Sequence, residues 1–136
     1  MPLAALPVPI LVLEPGDDPR LRLANPAFEA AFAADIAVHP RLSDWLGVTY
    51  PNAEYRQRAL DQWLLAARLA QSGQVGQVQC RLQAADGQPR EVQAQISGHG
   101  TLLLAVLIDI TERVEAQQRL QASQERLQRI LDNLPI

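Results

Sequence analysis

The chain has 136 residues, 48% hydrophobic and 20% charged, with a formal charge of −3, which is one domain's worth of chain and excludes a multi-domain enzyme. A net negative balance offers no field for gripping phosphate backbones, so nucleic acid is not an expected partner. The single cysteine, Cys80, excludes an internal disulfide and a cysteine-cluster zinc site, and points to a reducing compartment.

Residues 1–8 are rich in proline and small side chains and read as an unpaired N-terminal segment. They lack the charged region and small-residue cleavage site of a signal peptide. Ile10-Leu11-Val12-Leu13 is a short apolar run stopped by Glu14-Pro15-Gly16-Asp17-Asp18-Pro19, and Arg20-Leu21-Arg22-Leu23 then alternates with period two. Together they predict a hairpin. Asn25-Pro26 opens a helix running to about Asp35, since Asn is a good N-cap and Pro suits the first helical position. Phe28 and Phe32, four apart, share its buried face.

His39 to Asn52 carries two prolines and Gly47, and reads as a loop with one or two short helical turns. Asn52 is a second cap, with Glu54 in the first turn where the helix dipole favours it. Leu60, Trp63, Leu64 and Ala67 recur at three and four, which predicts an amphipathic helix to about Gln71. Ser72-Gly73 ends it.

Gln77 to Gln83 alternates apolar with polar, Ala85-Asp86-Gly87 reads as a hairpin turn with Asp-Gly as its signal, and Val92-Ala94-Ile96 marks another half-exposed strand. After Gly98-His99-Gly100, Leu102 to Ile108 is apolar at every position. It is the longest apolar run, well short of the roughly 20 residues that cross a membrane. An alternating strand can keep one face in water, but an unbroken apolar strand needs cover on both. The last strand is therefore expected in the centre, one hairpin on each flank, with helices over one face. A terminal helix or a second copy of the chain would cover the other.

Beyond Asp109 the chain turns polar and glycine-free. Asp109 and Glu112 fit a capping box. Ala116, Leu120, Ser123, Leu127, Ile130 and Leu134 then form a thin heptad seam over residues 111–134. The closing Asn133-Leu134-Pro135-Ile136 echoes Leu6-Pro7-Val8-Pro9-Ile10, so residues 135–136 are expected to begin a further module of a longer protein.

Asn25-Pro26-Ala27-Phe28, the Asp86-Gly87 turn and Asp109-Ile110-Thr111-Glu112-Arg113, in this order and spacing, resemble the PAS sensory domain family. Tyr50-Pro51-Asn52, Tyr55-Arg56 and Trp63 resemble a recurrent bacterial subgroup of it. The resemblance implies an α+β fold over residues 9–110: a PAS-like five-stranded antiparallel sheet with helices on one face, the last strand central, and a C-terminal linker helix. It also implies a sensory or dimerising input of a bacterial signalling protein such as a histidine kinase or diguanylate cyclase, with a ligand-free scaffold as the rival reading. Localisation is expected to be cytoplasmic, with no membrane contact by this segment.

No catalytic site is expected. His39 and His99 lie in turns, with no serine or cysteine placed to pair with either. Haem ligation by a histidine on the long helix is disfavoured because residues 53–71 contain none, leaving His39 as the remaining axial candidate. Flavin photochemistry needs an Asn-Cys-Arg-Phe-Leu motif on a helix, whereas Cys80 falls on the inward side of a strand and reads as a small core side chain. Ligand-pocket candidates are Trp45, as wall or lid, Trp63, Tyr55 and Arg56 as contacts to an anion, and Cys80. By the resemblance, Asp109, Ile110, Thr111 and Glu112 form the junction that passes a signal to the outgoing helix. A homodimer and a small-molecule ligand are the expected partners.

Overall fold

The computed structural model of the chain describes residues 7–32, 35–50 and 52–135. The expected unpaired start at residues 1–6, the far end of the first helix at Ala33 and Ala34, and the signature residues Pro51 and Ile136 lie outside them.

The elements are β1 (Ile10–Glu14), β2 (Arg20–Ala24), α1 (Pro26–Phe32), α2 (Leu42–Thr49), α3 (Ala53–Gln71), β3 (Gly76–Gln83), β4 (Pro89–His99), β5 (Leu102–Asp109) and α4 (Thr111–Asp132). The strands form one antiparallel sheet in the order β2-β1-β5-β4-β3, so β5 is central with a hairpin on either side. Its neighbours pair Val12 with Leu104 and Ile96 with Ala105. Leu103, Ala105 and Leu107 join the core beneath the helices, together with Leu11, Leu13, Val78, Cys80, Leu82 and Ile96.

Asn25 fixes the crossing from hairpin to helix. Its carboxamide oxygen accepts the Phe28 N–H at 3.0 Å, as an N-cap does, and also the Ile10 N–H at 2.9 Å. Its amide donates to the Val8 carbonyl at 2.8 Å. The residue is 1% exposed, so one buried side chain ties β1, α1 and the chain ahead of β1.

The segment expected to be mostly loop contains α2, an eight-residue helix. Leu42, Trp45, Leu46 and Thr49 are its buried residues, spaced at three and four, a period short enough to be masked by the flanking prolines and Gly47. Its first turn is held from β2's side of the chain: Asp18 accepts the Ser43 N–H at 3.2 Å and the Ser43 hydroxyl at 2.5 Å. Thr49 satisfies its buried hydroxyl within the helix, donating to the Trp45 carbonyl at 3.2 Å.

Two glycines let α3 lie close on the sheet. A Cβ on Gly76 would stand 2.2 Å from the Ala66 carbonyl oxygen, and one on Gly98 would stand 2.6 Å from that of Ala70. Ala59, Ala66, Ala67 and Ala70 supply the matching small face of the helix. The C-terminal half of α3 therefore sits almost on the backbone of β3 and β4. Its N-terminal half is held off by rings: Trp63 meets Trp45 edge-on at 5.7 Å, and Trp45 packs on Phe28 at 5.3 Å.

The capping box at Asp109 is corrected. β5 runs on through Asp109, and the Ile110 N–H bonds the Glu91 carbonyl at 2.8 Å, so Ile110 keeps a non-helical conformation and occupies the cap position itself. Asp109 lies one residue earlier, where its carboxylate accepts the Thr111 N–H at 2.9 Å. Of the two covers expected for the outer face, a terminal helix or a second copy, the helix is not packed as one: no residue of α4 is buried. On the outer face of β5, Leu102, Leu104 and Val106 are half-buried and Ile108 is 41% exposed.

Candidate ligand cleft and helix junction

Where α3 diverges from the sheet, an open cleft of about 710 Å³ forms between its first turns and the free edge of β3. Asn52 caps α3, its carboxamide accepting the Tyr55 N–H at 3.1 Å. That cap sets Tyr55 over the edge of β3. An edge strand leaves every second backbone N–H unpaired, and the Tyr55 hydroxyl accepts the one at Arg81 at 3.0 Å. Tyr50, at the end of α2, lies against Tyr55 with ring centroids 4.9 Å apart. Arg56 donates through Nε to the Tyr50 carbonyl at 3.0 Å, bracing the same corner. Arg58 rests its guanidinium 5.7 Å from the Tyr55 ring centroid.

Across the β3–β4 pair, Arg81 stands directly opposite Glu91. Its Nε and Nη2 both reach Glu91 Oε1, at 2.9 and 2.8 Å. Glu91 also meets α4. Its N–H donates to the Thr111 hydroxyl at 2.9 Å, and its carbonyl takes the Ile110 N–H. Thr111 in turn donates to Asp109, whose other oxygen lies 3.9 Å from Arg90. Tyr55, Arg81, Glu91, Thr111 and Asp109 thus form one connected line from the cleft to the first turn of the outgoing helix. The sequence reading named Tyr55, Thr111 and Asp109 but passed over Arg81 and Glu91. Glu112 is exposed at the start of α4, where its charge suits the dipole.

The candidates divide between cleft and core. Tyr55 lines the cleft and Arg56 braces it, but Trp45, Trp63 and Cys80 are all buried in the core. Trp45 is no lid, because α2 turns it inward onto Phe28, Phe32 and Trp63. The indole N–H groups of Trp45 and Trp63 and the Tyr50 hydroxyl find no hydrogen-bond partner among the described residues. Tyr50 and Trp63 share the buried cluster of Cys80, whose sulfur is at best a weak acceptor. Burial pushes the Cys80 thiol up, partly offset by the nearby Tyr50 and Trp63 dipoles, and burial likewise pushes the Tyr50 phenol up, with Cys80 adding to it. Both stay neutral in ordinary conditions.

No family model matches the chain, and no curated protein matches it. Solved structures do. An RNA-binding Light-Oxygen-Voltage receptor superposes with a TM-score of 0.68 at 22% identity, over 96% of this chain and 36% of that one, so this chain spans about a third of its length. A sensory box histidine kinase/response regulator from Burkholderia thailandensis gives 0.58 at 18% identity, over 90% and 92% of the two chains. The N-terminal domain of a diguanylate cyclase with PAS/PAC sensor from Marinobacter aquaeolei gives 0.52 at 13%, over 76% and 97%. The fold is that of PAS domains.

α3 carries no histidine, and His39 lies in the turn before α2 with its N–H on the Asp35 carbonyl. Cys80 lies in the same buried cluster as Trp63 and Tyr50. Among the described residues no three potential metal ligands gather, and no helix is long and apolar enough to cross a membrane.

Proposed function

We propose that the chain is the sensory input module of a larger cytoplasmic signalling protein, with a histidine kinase or diguanylate cyclase as its output. Residues 9–110 would form the sensor, 111–134 the signalling helix, and 135–136 the start of a following module. In this reading a ligand or partner at the α3–β3 cleft changes the hold on α4, and the Asp109–Glu112 junction carries the change outward. One observation supports it above the rest: Glu91 lines the cleft, pairs with Arg81 through its side chain and anchors the start of α4 with its backbone. A signal passes only if the occupant prefers one of two arrangements of that helix. Thr111→Val keeps the shape but removes the hydroxyl shared by Glu91 and Asp109. In the intact signalling protein it is expected to leave output fixed and unresponsive to stimulus. An unchanged response would defeat the transmission role.

The scaffold reading draws on the interior, where Trp45 and Trp63 fill the space between α3 and the sheet. The two readings share a homodimer. The half-covered outer face of β5, with Leu23 at 44% exposure beside Val12, and the exposed seam of Leu120, Leu127 and Ile130 both suit a second copy. Light scattering is expected to show a dimer for the wild-type chain and a monomer for Ile108→Arg. A wild-type monomer at high concentration would contradict the shared interface.

A further inference from the structure

The cleft carries a chemical bias that the sensor reading leaves open. In a chain of net charge −3, Arg56, Arg58 and Arg81 converge on this corner, and Glu91 is the acid among the lining residues. Arg58 makes no ion pair among the described residues, its contact being the Tyr55 ring. Arg81 gives two of its nitrogens to a single oxygen of Glu91 and leaves Nη1 unused among the described residues. The pair is open on one side, with the Arg81 side chain 60% exposed and that of Glu91 19% exposed. Its exposed guanidinium is reached from solvent without moving Glu91. A guanidinium offers a planar fork that fits a carboxylate on two nitrogens at once, a better match than the one-oxygen grip of Glu91. Beside it, the half-buried Tyr55 ring and Pro89 provide an apolar wall.

We propose that the cleft binds a small organic acid, its carboxylate held between Arg81 and Arg58 and its apolar body against Tyr55 and Pro89, in competition with Glu91 for Arg81. Because the Glu91 backbone holds Ile110 and Thr111, exchange at Arg81 is felt one residue from the outgoing helix. The consequence of binding rests on the sensor reading, but the binding itself does not.

Benzoate is the probe, titrated into the isotope-labelled chain and followed by amide NMR, with inorganic phosphate at matched ionic strength as control. Saturable shifts are expected at Arg81, Glu91 and Thr111. Arg81→Gln and Arg58→Gln are each expected to weaken binding about tenfold or more. Glu91→Gln carries the sharpest expectation: it removes the competitor, so benzoate binds severalfold more tightly. A residue that merely supports the fold would give the opposite sign. Equal shifts from phosphate, no saturation, or Glu91→Gln weakening binding in step with Arg81→Gln would each overturn the site. If benzoate binds as expected while the intact protein's output is indifferent to it, the site stands and the sensor reading fails.

Discussion

Thr111 holds its hydroxyl between two strands' ends, accepting from the Glu91 N–H and donating to Asp109. A serine could make the same bonds, but the threonine methyl restricts its rotamer and keeps the pair aligned. Tyr50 is the opposite case, a buried hydroxyl with no full partner. A donor left unsatisfied costs about 1–3 kcal/mol, so Tyr50→Phe is expected to leave the chain as stable as wild type or more so in denaturant melts. The same residue governs alkaline behaviour. Tyr50 and Cys80 have folded pKa values raised above their ordinary 10.0 and 9.0. Their contribution is therefore intact below those ordinary values and lost as pH rises toward the folded ones. Stability should be flat in this respect to about pH 9 and fall above it, with a shallower fall in Tyr50→Phe. An equal fall in both chains would remove Tyr50 from that account. At this scale Asn25 and Trp63 were legible, because a cap before proline and an apolar ring at helical spacing are local signals. The Arg81–Glu91 pair was legible only through the turn: Ala85-Asp86-Gly87 brings Ala84 to Gln88, closed by a 2.9 Å bond, and so sets Arg81 opposite Glu91. A one-residue slip in that register would part the two charges.

Elements are placed here by what is missing as much as by what is present. α3 approaches β3 and β4 through Gly76 and Gly98, and the ring-bearing end that stands away leaves the cleft. Gly76→Ala would drive a methyl into the Ala66 backbone, which cannot give way as a side chain can. It is expected to cost about 3 kcal/mol in a denaturant melt and to disturb the α3–sheet spacing. Gly47→Ala is the matched control: it lies inside α2 with nothing within 4 Å of the added Cβ, and should gain about 0.5–1 kcal/mol from helix propensity. A Gly76→Ala chain as stable as Gly47→Ala would refute the close approach. The bounds of α3 could be read directly, since cap, period and terminating glycine agree. α2 was under-read because its buried stripe spans barely two turns, too short for a period to stand out. The start of α4 was misplaced by one residue because Ile110 is pinned by Glu91, a partner distant in sequence.

For the whole molecule, the order of the sheet followed from one contrast. β3 alternates and β4 largely does, whereas Leu102 to Ile108 does not, which placed β5 in the centre. The same contrast left the outer face needing cover that α4 does not supply, and this is why the dimer belongs to the proposal. The account depends most on the claim that the cleft edge and the first turn of α4 are one physical unit. A double-mutant cycle of Arg81→Gln and Thr111→Val, read by chemical unfolding of the chain, tests it directly. Residues joined through a shared partner are expected to couple by about 0.5 kcal/mol or more. Additivity within the error of the melts would mean that Glu91 links nothing, and would contradict the account.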